Sequence, residues 1–207
     1  MHALVQRLLA RPAPYRAFHS LVSGVKGRQL TQHLSTRLSS RPLRVLDLGC
    51  GPGTNAALFL DRTRFEYTGI DSNPAYIRQA AQRYPLHFKC ADATRLGSTD
   101  EKFDVVLINS ALHHISPEET ARMLRAARGL LDADGECLVL DMVKSPGSTL
   151  IQRALIRMDR GKYCRTVEEL RAEIGKDFTI EASKAFNIHV LGIMLWELRL
   201  FVARART

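Results

Sequence analysis

Asp47-Leu48-Gly49-Cys50-Gly51-Pro52-Gly53 closes an apolar run, 43–48, and opens a helical pattern, so three glycines fall on one strand-to-helix turn. Glycine lets a backbone turn tightly and approach a ligand that any Cβ would displace. Open α/β sheets bind nucleotide-like ligands at such turns. Taken alone the turn is a weak signal. It gains weight from Asp71, which ends the next apolar run 20 residues after Gly51, where a carboxylate can accept hydrogen bonds from ribose hydroxyls.

Working outward, short apolar runs alternate with helical patterns, the signature of a parallel sheet covered on both faces. Strands are expected over 43–48, 65–70, 86–90 and 103–108. Thr54 is expected to cap the helix after the first, and Asn73-Pro74 to open the helix carrying Ile77, Ala80, Ala81 and Tyr84. Ser116, Pro117 and Glu119 spell a capping box, followed by a buried stripe of Ala121, Leu124, Ala127 and Leu131. Asp132 to Gly135 reads as a turn into a strand over 137–140. An amphipathic helix follows over 149–160, with Leu150, Ile151, Ala154, Leu155 and Met158 opposite Arg153, Arg157 and Arg160. Thr166 and Glu169 form a second capping box. Alternation then takes over at Phe178, Ile180 and Ala182, and again at Trp196, Leu198, Leu200 and Val202. These two strands read as an antiparallel hairpin at the sheet edge, and His189 and Trp196 as core or edge-strand residues. The expected fold is α/β, a Rossmann-like doubly wound seven-stranded sheet, mostly parallel with an antiparallel C-terminal hairpin strand.

With 207 residues, 45% of them hydrophobic, one domain is the working expectation. Cys50, Cys90, Cys137 and Cys164 lie far apart, without metal-ligand spacing, which reads as reduced thiols and a cytoplasmic setting. No uncharged apolar run is long enough for a membrane span, since Glu197 and Arg199 interrupt the most apolar tail. The net charge of +9 is unevenly placed. Residues 1–44 hold Arg7, Arg11, Arg16, Lys26, Arg28, Arg37, Arg41 and Arg44 with no acid. This divides the chain into a basic helical segment, 1–40, and a domain over 41–207. The segment can be read as a lid over the active site, a mitochondrial transit peptide, a peripheral membrane-surface helix or a nucleic-acid arm. Tyr15, Phe18, Leu21 and Val22 at helical spacing favour the lid, which makes Tyr15 and His19 acceptor-side candidates.

Two ligands compete for the glycine turn. A dinucleotide fingerprint wants glycine or alanine where Thr54 stands, and Asp47 would sit badly beside a pyrophosphate. The same acid suits the ammonium and sulfonium of S-adenosylmethionine. At this point the chain resembles the class I S-adenosylmethionine-dependent methyltransferases, particularly small ones similar to the ubiquinone- and menaquinone-pathway enzymes. Val45 to Asn55 looks like their first motif, Asp71 like their ribose-binding acid, Cys90-Ala91-Asp92-Ala93 like the adenine-contacting third motif, and Asn109 to Ile115 like the lining of the donor pocket. The resemblance implies a cofactor site of Asp47, Gly49, Cys50, Gly51, Gly53, Asp71, Ser72, Asp92, Ala93 and Asn109, with S-adenosylhomocysteine as product. It also implies that an insertion, 143–176, helps form the acceptor pocket.

Methyl transfer from a sulfonium is an in-line displacement, so alignment carries much of the catalysis. A base is needed only for a hydroxyl, thiol or acidic carbon. His113 and His114, after the fourth strand, are the candidates, since imidazole titrates near neutral pH; the alternative for one of them is only to cap the following turn. Some quinone-pathway O-methyltransferases carry two glutamates before the final histidine and hold a metal; Ser110 and His113 stand there, so no metal is expected. Asn109-Ser110-Ala111-Leu112 also lacks the prolines and aromatic used on flipped bases, which disfavours a nucleobase amine. Asp159-Arg160-Gly161-Lys162-Tyr163-Cys164-Arg165 gathers three cations around a tyrosine. It reads either as recognition of an acceptor carboxylate or phosphate, with Arg160, Lys162 and Tyr163 as the acceptor-side candidates, or as a solvated helix-to-helix turn. The expected function is methylation of a small organic acceptor, with oxygen favoured. Its rivals are an RNA methyltransferase using the basic arm, a lipid or quinone acceptor met at a membrane surface, and a non-catalytic cofactor-binding scaffold.

Overall fold

Parallel pairing spreads from the strand that carries the glycine turn. In the computed structural model, which describes residues 24, 26–97, 100–145, 147, 162–190 and 193–206, β1 (Leu43–Leu48) pairs in parallel with β2 (Phe65–Asp71) on one side. On its other side it pairs in parallel with β4 (Phe103–Asn109). β3 (His87–Cys90) adds outside β2, and β5 (Leu131–Lys144) outside β4, both parallel. β8 (Ile193–Ala205) runs antiparallel to β5, and β7 (Phe178–Val190) antiparallel to β8. The order β3-β2-β1-β4-β5-β8-β7 changes direction between β1 and β4. Connections leave those two strands in opposite directions, which opens a crevice above their C-terminal ends.

The sheet has eight strands rather than the expected seven. The two-residue β6 (Arg165–Thr166) pairs with Val143 and Lys144 of β5. β8 already occupies one edge of β5 from Cys137 to Val143. β6 therefore takes the edge that β4 vacates after Asn109 pairs with Leu140. Two residues carry no period, which is why the sequence does not announce this strand.

β1 and β4 are inward on both faces, with every residue of Val45–Leu48 and of Val105–Asn109 buried, as expected of parallel strands covered on both sides. One face packs Leu46, Leu48, Val106 and Ile108 against Leu124 and Ala127 of the helix Pro117–Leu130. On β2, Phe59 stacks on Tyr67 with ring centroids 4.9 Å apart. Both capping boxes form, at Ser116 with Glu119 and at Thr166 with Glu169, the second opening the helix Val167–Ile174. Asn73 caps the helix Pro74–Arg83 by accepting from Ala75 N.

Three local expectations are corrected. The helix after β1 is a single 3-10 turn, Ala56–Phe59, with Asn55 rather than Thr54 at the cap position. Asn55 turns its side chain to Asp47 and Asn109 instead of to the helix, and Asp61 closes the segment by accepting from Thr63. The buried stripe of Pro117–Leu130 comprises Thr120, Met123, Leu124, Ala127 and Leu130, leaving Ala121 half-buried. Asp132 to Gly135 is the irregular start of β5, whose register on β4 shifts between Phe103 and Val105.

The chain divides into two compact units between Arg37 and Leu38. In the first, residues 26–35 are helical, with Leu30 and Leu34 buried one turn apart. In the second, two cations of the acid-free stretch are already engaged. Arg41 forks onto Asp104 at 2.7 and 2.6 Å, and the Arg44 guanidinium lies over the Phe103 ring, 5.5 Å from its centroid, while the Arg44 amide donates to Asp104. Readings placed on residues 1–23, Tyr15 and His19 among them, and the helix over 149–160 with Arg160, lie outside the described residues. Among the described residues no helix is long and apolar enough to cross a membrane.

Candidate functional site

The crevice is framed by two turns. In the turn after β1, Gly49, Gly51 and Gly53 all have positive φ, at 77°, 56° and 80°. At Gly49 the requirement is double, because a Cβ there would also stand 2.9 Å from the Cβ of Ala111. The glycine turn thus lies directly against the segment that leaves β4. Asp71, at the end of β2, accepts from Gly51 N through Oδ2 (2.9 Å) and from Asn73 N through Oδ1 (2.8 Å). A carboxylate has about four acceptor positions, so each oxygen can accept a further donor while bracing the glycine turn.

Asp47 lies fully buried beneath that turn. Its Oδ2 accepts from Asn55 Nδ2 at 3.1 Å and from the Tyr67 hydroxyl at 2.8 Å. Asn55 Oδ1 in turn accepts from Asn109 Nδ2 at 2.6 Å, linking the ends of β1 and β4. Among the described residues Asp47 Oδ1 has no hydrogen-bond partner. Burial pushes the carboxyl up to about 6, although the bonds from Asn55 and Tyr67 oppose that shift. A buried carboxylate oxygen without a donor is costly, and a cationic or N–H group from a ligand would satisfy it. An ammonium such as that of S-adenosylmethionine fits this requirement; a pyrophosphate does not.

The remaining cofactor-side candidates are less uniform. Cys50 is buried, with its thiol inside contact distance of a Cβ at Gly69, so this residue offers a ligand only its backbone. Ser72 is exposed and Ala93 buried. Asp92 Oδ1 is taken by the Thr94 hydroxyl and amide, at 2.7 and 2.8 Å. The Thr94 hydroxyl is the main reason the Asp92 carboxyl lies below the usual carboxylate range.

The turn after β4 opens with Ser110 in the left-handed region, φ 57°, a costly conformation for a residue with a side chain. Leu112–His114 forms a 3-10 turn. His113 is buried and His114 exposed, their ring centroids 4.0 Å apart. Beneath them lies Asp141 of β5, which the sequence pattern does not single out. Its Oδ2 accepts from Leu112 N (2.9 Å) and His113 N (3.2 Å), while Oδ1 accepts from Met142 N (2.7 Å) and contacts His113 Nδ1 (2.5 Å). The one signal in the sequence is a lone acid directly after the apolar run 137–140.

Of the 159–165 constellation, Lys162 is exposed and Tyr163 is 39% exposed. The Tyr163 amide nonetheless donates to His113 O at 3.0 Å. Arg165, part of the stretch but not among the expected site residues, is the buried member. Its guanidinium donates to Leu112 O (2.7 Å), Tyr163 O (2.8 Å) and Thr120 Oγ1 (2.8 Å), and pairs with Glu173 at 2.7 Å. Trp196 and His189 sit on the β7–β8 ladder, opposite Ile188 and Met194. Among the described residues no group of three or more His, Cys, Asp or Glu is placed to share a metal ion.

Comparison with known proteins agrees with this geometry. Residues 45–135 match the family described as a methyltransferase domain. Trans-aconitate 2-methyltransferase of Methylobacterium nodulans is 32% identical over 117 residues, 54% of this chain and 44% of that protein. Demethylmenaquinone methyltransferase of Beutenbergia cavernae is 37% identical over 95 residues, 44% of this chain and 39% of that protein. The chain thus spans about half the length, or less, of the curated relatives it matches. Magnesium protoporphyrin IX methyltransferase of Synechocystis, solved with S-adenosylhomocysteine bound, superposes with a TM-score of 0.67 at 18% identity, over 89% of this chain and 84% of that one. The chain has the class I methyltransferase fold, and residues 45–135 are the part that matches the methyltransferase-domain family.

Proposed function

We propose that the chain is an S-adenosylmethionine-dependent methyltransferase that methylates an oxygen atom of a small organic acceptor. The observation that carries the reading is Asp47 Oδ1, a buried carboxylate oxygen lacking a donor beneath a turn of three positive-φ glycines, with Asp71 beside it. Asp47 and the Asn55–Asn109 link would hold the ammonium end of the cofactor, and Asp71 the ribose hydroxyls. Gly49, Cys50, Gly51 and Gly53 would admit the cofactor against bare backbone, with Ser72, Asp92 and Ala93 toward the adenine. When bound, the cofactor supplies a methyl group on a sulfonium leaving group.

The preference for oxygen rests on His113. An imidazole backed by a carboxylate, on a turn that touches the glycine loop, is suited to remove a hydroxyl proton as the acceptor oxygen attacks. Two relatives are named for small-molecule acceptors, which supports that acceptor class. The insertion 143–176, through the exposed Lys162 and Tyr163, would line the acceptor side.

Calorimetric titration with S-adenosylmethionine, with NADH as the comparison ligand, tests the reading. Binding of S-adenosylmethionine alone is expected. Asp71→Ala is expected to weaken it by about 100-fold, the loss of two hydrogen bonds to a charged acceptor. Preference for NADH would overturn the reading. Transfer confined to amines across a panel of hydroxyl and amine acceptors would overturn the assignment of oxygen.

A further inference from the structure

We propose that Asp141 and Arg165 are positioning residues for His113, Asp141 setting the ring tautomer and Arg165 clamping the turn that carries the ring. The inference rests on the reading of His113 as the proton acceptor, and concerns how that role is built.

Asp141 is saturated from one side. Three backbone amides, Leu112 N, His113 N and Met142 N, donate to its two oxygens. Having no proton of its own in ionised form, it can meet His113 Nδ1 only as an acceptor, so the ring carries its proton on Nδ1. Nε2 then holds the lone pair, as a general base needs. This is the logic of any carboxylate that orients a histidine by fixing its tautomer.

Arg165 works on the main chain of the same turn. It binds the carbonyl of Leu112, just before His113, and approaches that of Ile115 (3.4 Å), just after His114. Its remaining donors reach Thr120 of the helix Pro117–Leu130 and Glu173 of the helix Val167–Ile174. Its own position is fixed because β6 pairs with β5 where β4 has ended, and the Tyr163 amide adds a bond to His113 O. The turn is thus held from below by β5 and from the side by β6.

Among the described residues, the titratable and charged groups that flank the ring or its turn include Asp141 on β5, His114 on the same turn, and Arg165 with its partner Glu173 from the neighbouring strand and helix. Of these four, Asp141 is the one in contact with Nδ1.

The test is nitrogen NMR of the full chain labelled with 15N-histidine, read under conditions where the ring is neutral. Wild type is expected to show His113 protonated on Nδ1. In Asp141→Asn the amide oxygen meets two amides, Leu112 N and His113 N, on the Oδ2 side against one, Met142 N, on the Oδ1 side. It is therefore expected to keep the former and turn the NH2 toward the ring, at the cost of the Met142 bond. His113 is then expected to flip to the Nε2-protonated tautomer. A purely structural role for Asp141 would leave the tautomer unchanged in any variant that folds. Arg165→Lys, which keeps the charge but not the fork, is expected to give mixed tautomers or a broadened His113 signal. A wild-type ring protonated on Nε2, an unflipped ring in Asp141→Asn, or a sharp wild-type signal in Arg165→Lys overturns the corresponding assignment. Titration of the same samples with S-adenosylmethionine separates the two failures: wild type that does not bind it overturns the methyltransferase reading, whatever the tautomer shows.

Discussion

Asp47 and Asp141 are both buried acids of one sheet, Asp47 level with Leu138 of β5 and Asp141 three residues further on, and in hydrogen bonding they are opposites. Each is a buried carboxylate near the C-terminal end of a central strand, within the frame of the crevice. Among the described residues Asp141 has at least four N–H groups around its two oxygens, three of them backbone amides. Asp47 has two side-chain donors on one oxygen and, among the described residues, none on the other. A satisfied buried carboxylate rigidifies what surrounds it, whereas an under-satisfied one is a cost until a ligand arrives. The difference separates a brace from a binding group. Truncating the two should therefore move stability in opposite directions.

The largest effect is expected at Asp141. Asp141→Ala strands the amides of Leu112, His113 and Met142 in a buried site, and each orphaned donor costs about 1–3 kcal/mol. A total loss of roughly 3–5 kcal/mol is expected in chemical denaturation. A loss below about 1 kcal/mol would mean that water replaces the carboxylate, and the brace reading would fail.

Asp47→Asn should do the reverse. Its folded carboxyl lies near 6 against an ordinary 3.8, so the folded state binds the proton more tightly than the unfolded chain. For a raised carboxyl the sign is fixed: the contribution is full below about pH 4, is lost as pH rises toward 6, and stays lost above it. Ionised Asp47 thus costs the unliganded fold roughly 3 kcal/mol at neutral pH. Asn at this position should recover about 2 kcal/mol of stability at pH 8 and almost none at pH 4, while weakening S-adenosylmethionine binding by at least about tenfold. Stabilisation that persists at pH 4 would show that the gain is packing rather than charge.

The two turns are unequally legible in the sequence. The first declares itself by composition, since three glycines in five residues followed by an acid at the next strand end are the local pattern of a turn that admits a nucleotide-like ligand. The parallel order, both capping boxes and the terminal hairpin follow from period and cap chemistry for the same reason: each is a local pattern. Nothing local marks Asp141, whose partners lie 28 and 29 residues away, or Arg165, whose acceptors lie up to 53 residues away. A cation cluster at 160–165 points to Lys162 and Tyr163, which are exposed, while the buried member is decided by β6, a strand too short to have a period. Thr54 misleads for a related reason. A cap residue announces a helix only if the following backbone is free to propagate, and here Asn55 is recruited into the Asp47 network.

The smallest effect sharpens the contrast from the helix that leaves the second turn. Ser116 Oγ accepts from Glu119 N at 3.2 Å while the Glu119 carboxylate accepts from Ser116 N at 2.8 Å. Ser116 stands one residue after Ile115, whose carbonyl Arg165 approaches, so its cap and the clamp on the His113 turn share a boundary. Losing the cap in Ser116→Ala should cost about 1 kcal/mol. Because the cap supports the helix rather than the turn, the His113 tautomer and the affinity for S-adenosylmethionine should stay at wild-type values. A double variant with Arg165→Lys measures whether the boundary is mechanical. Additivity within about 0.5 kcal/mol would mean that Arg165 holds the turn independently of the helix cap, whereas a larger coupling would make helix, turn and β6 a single unit.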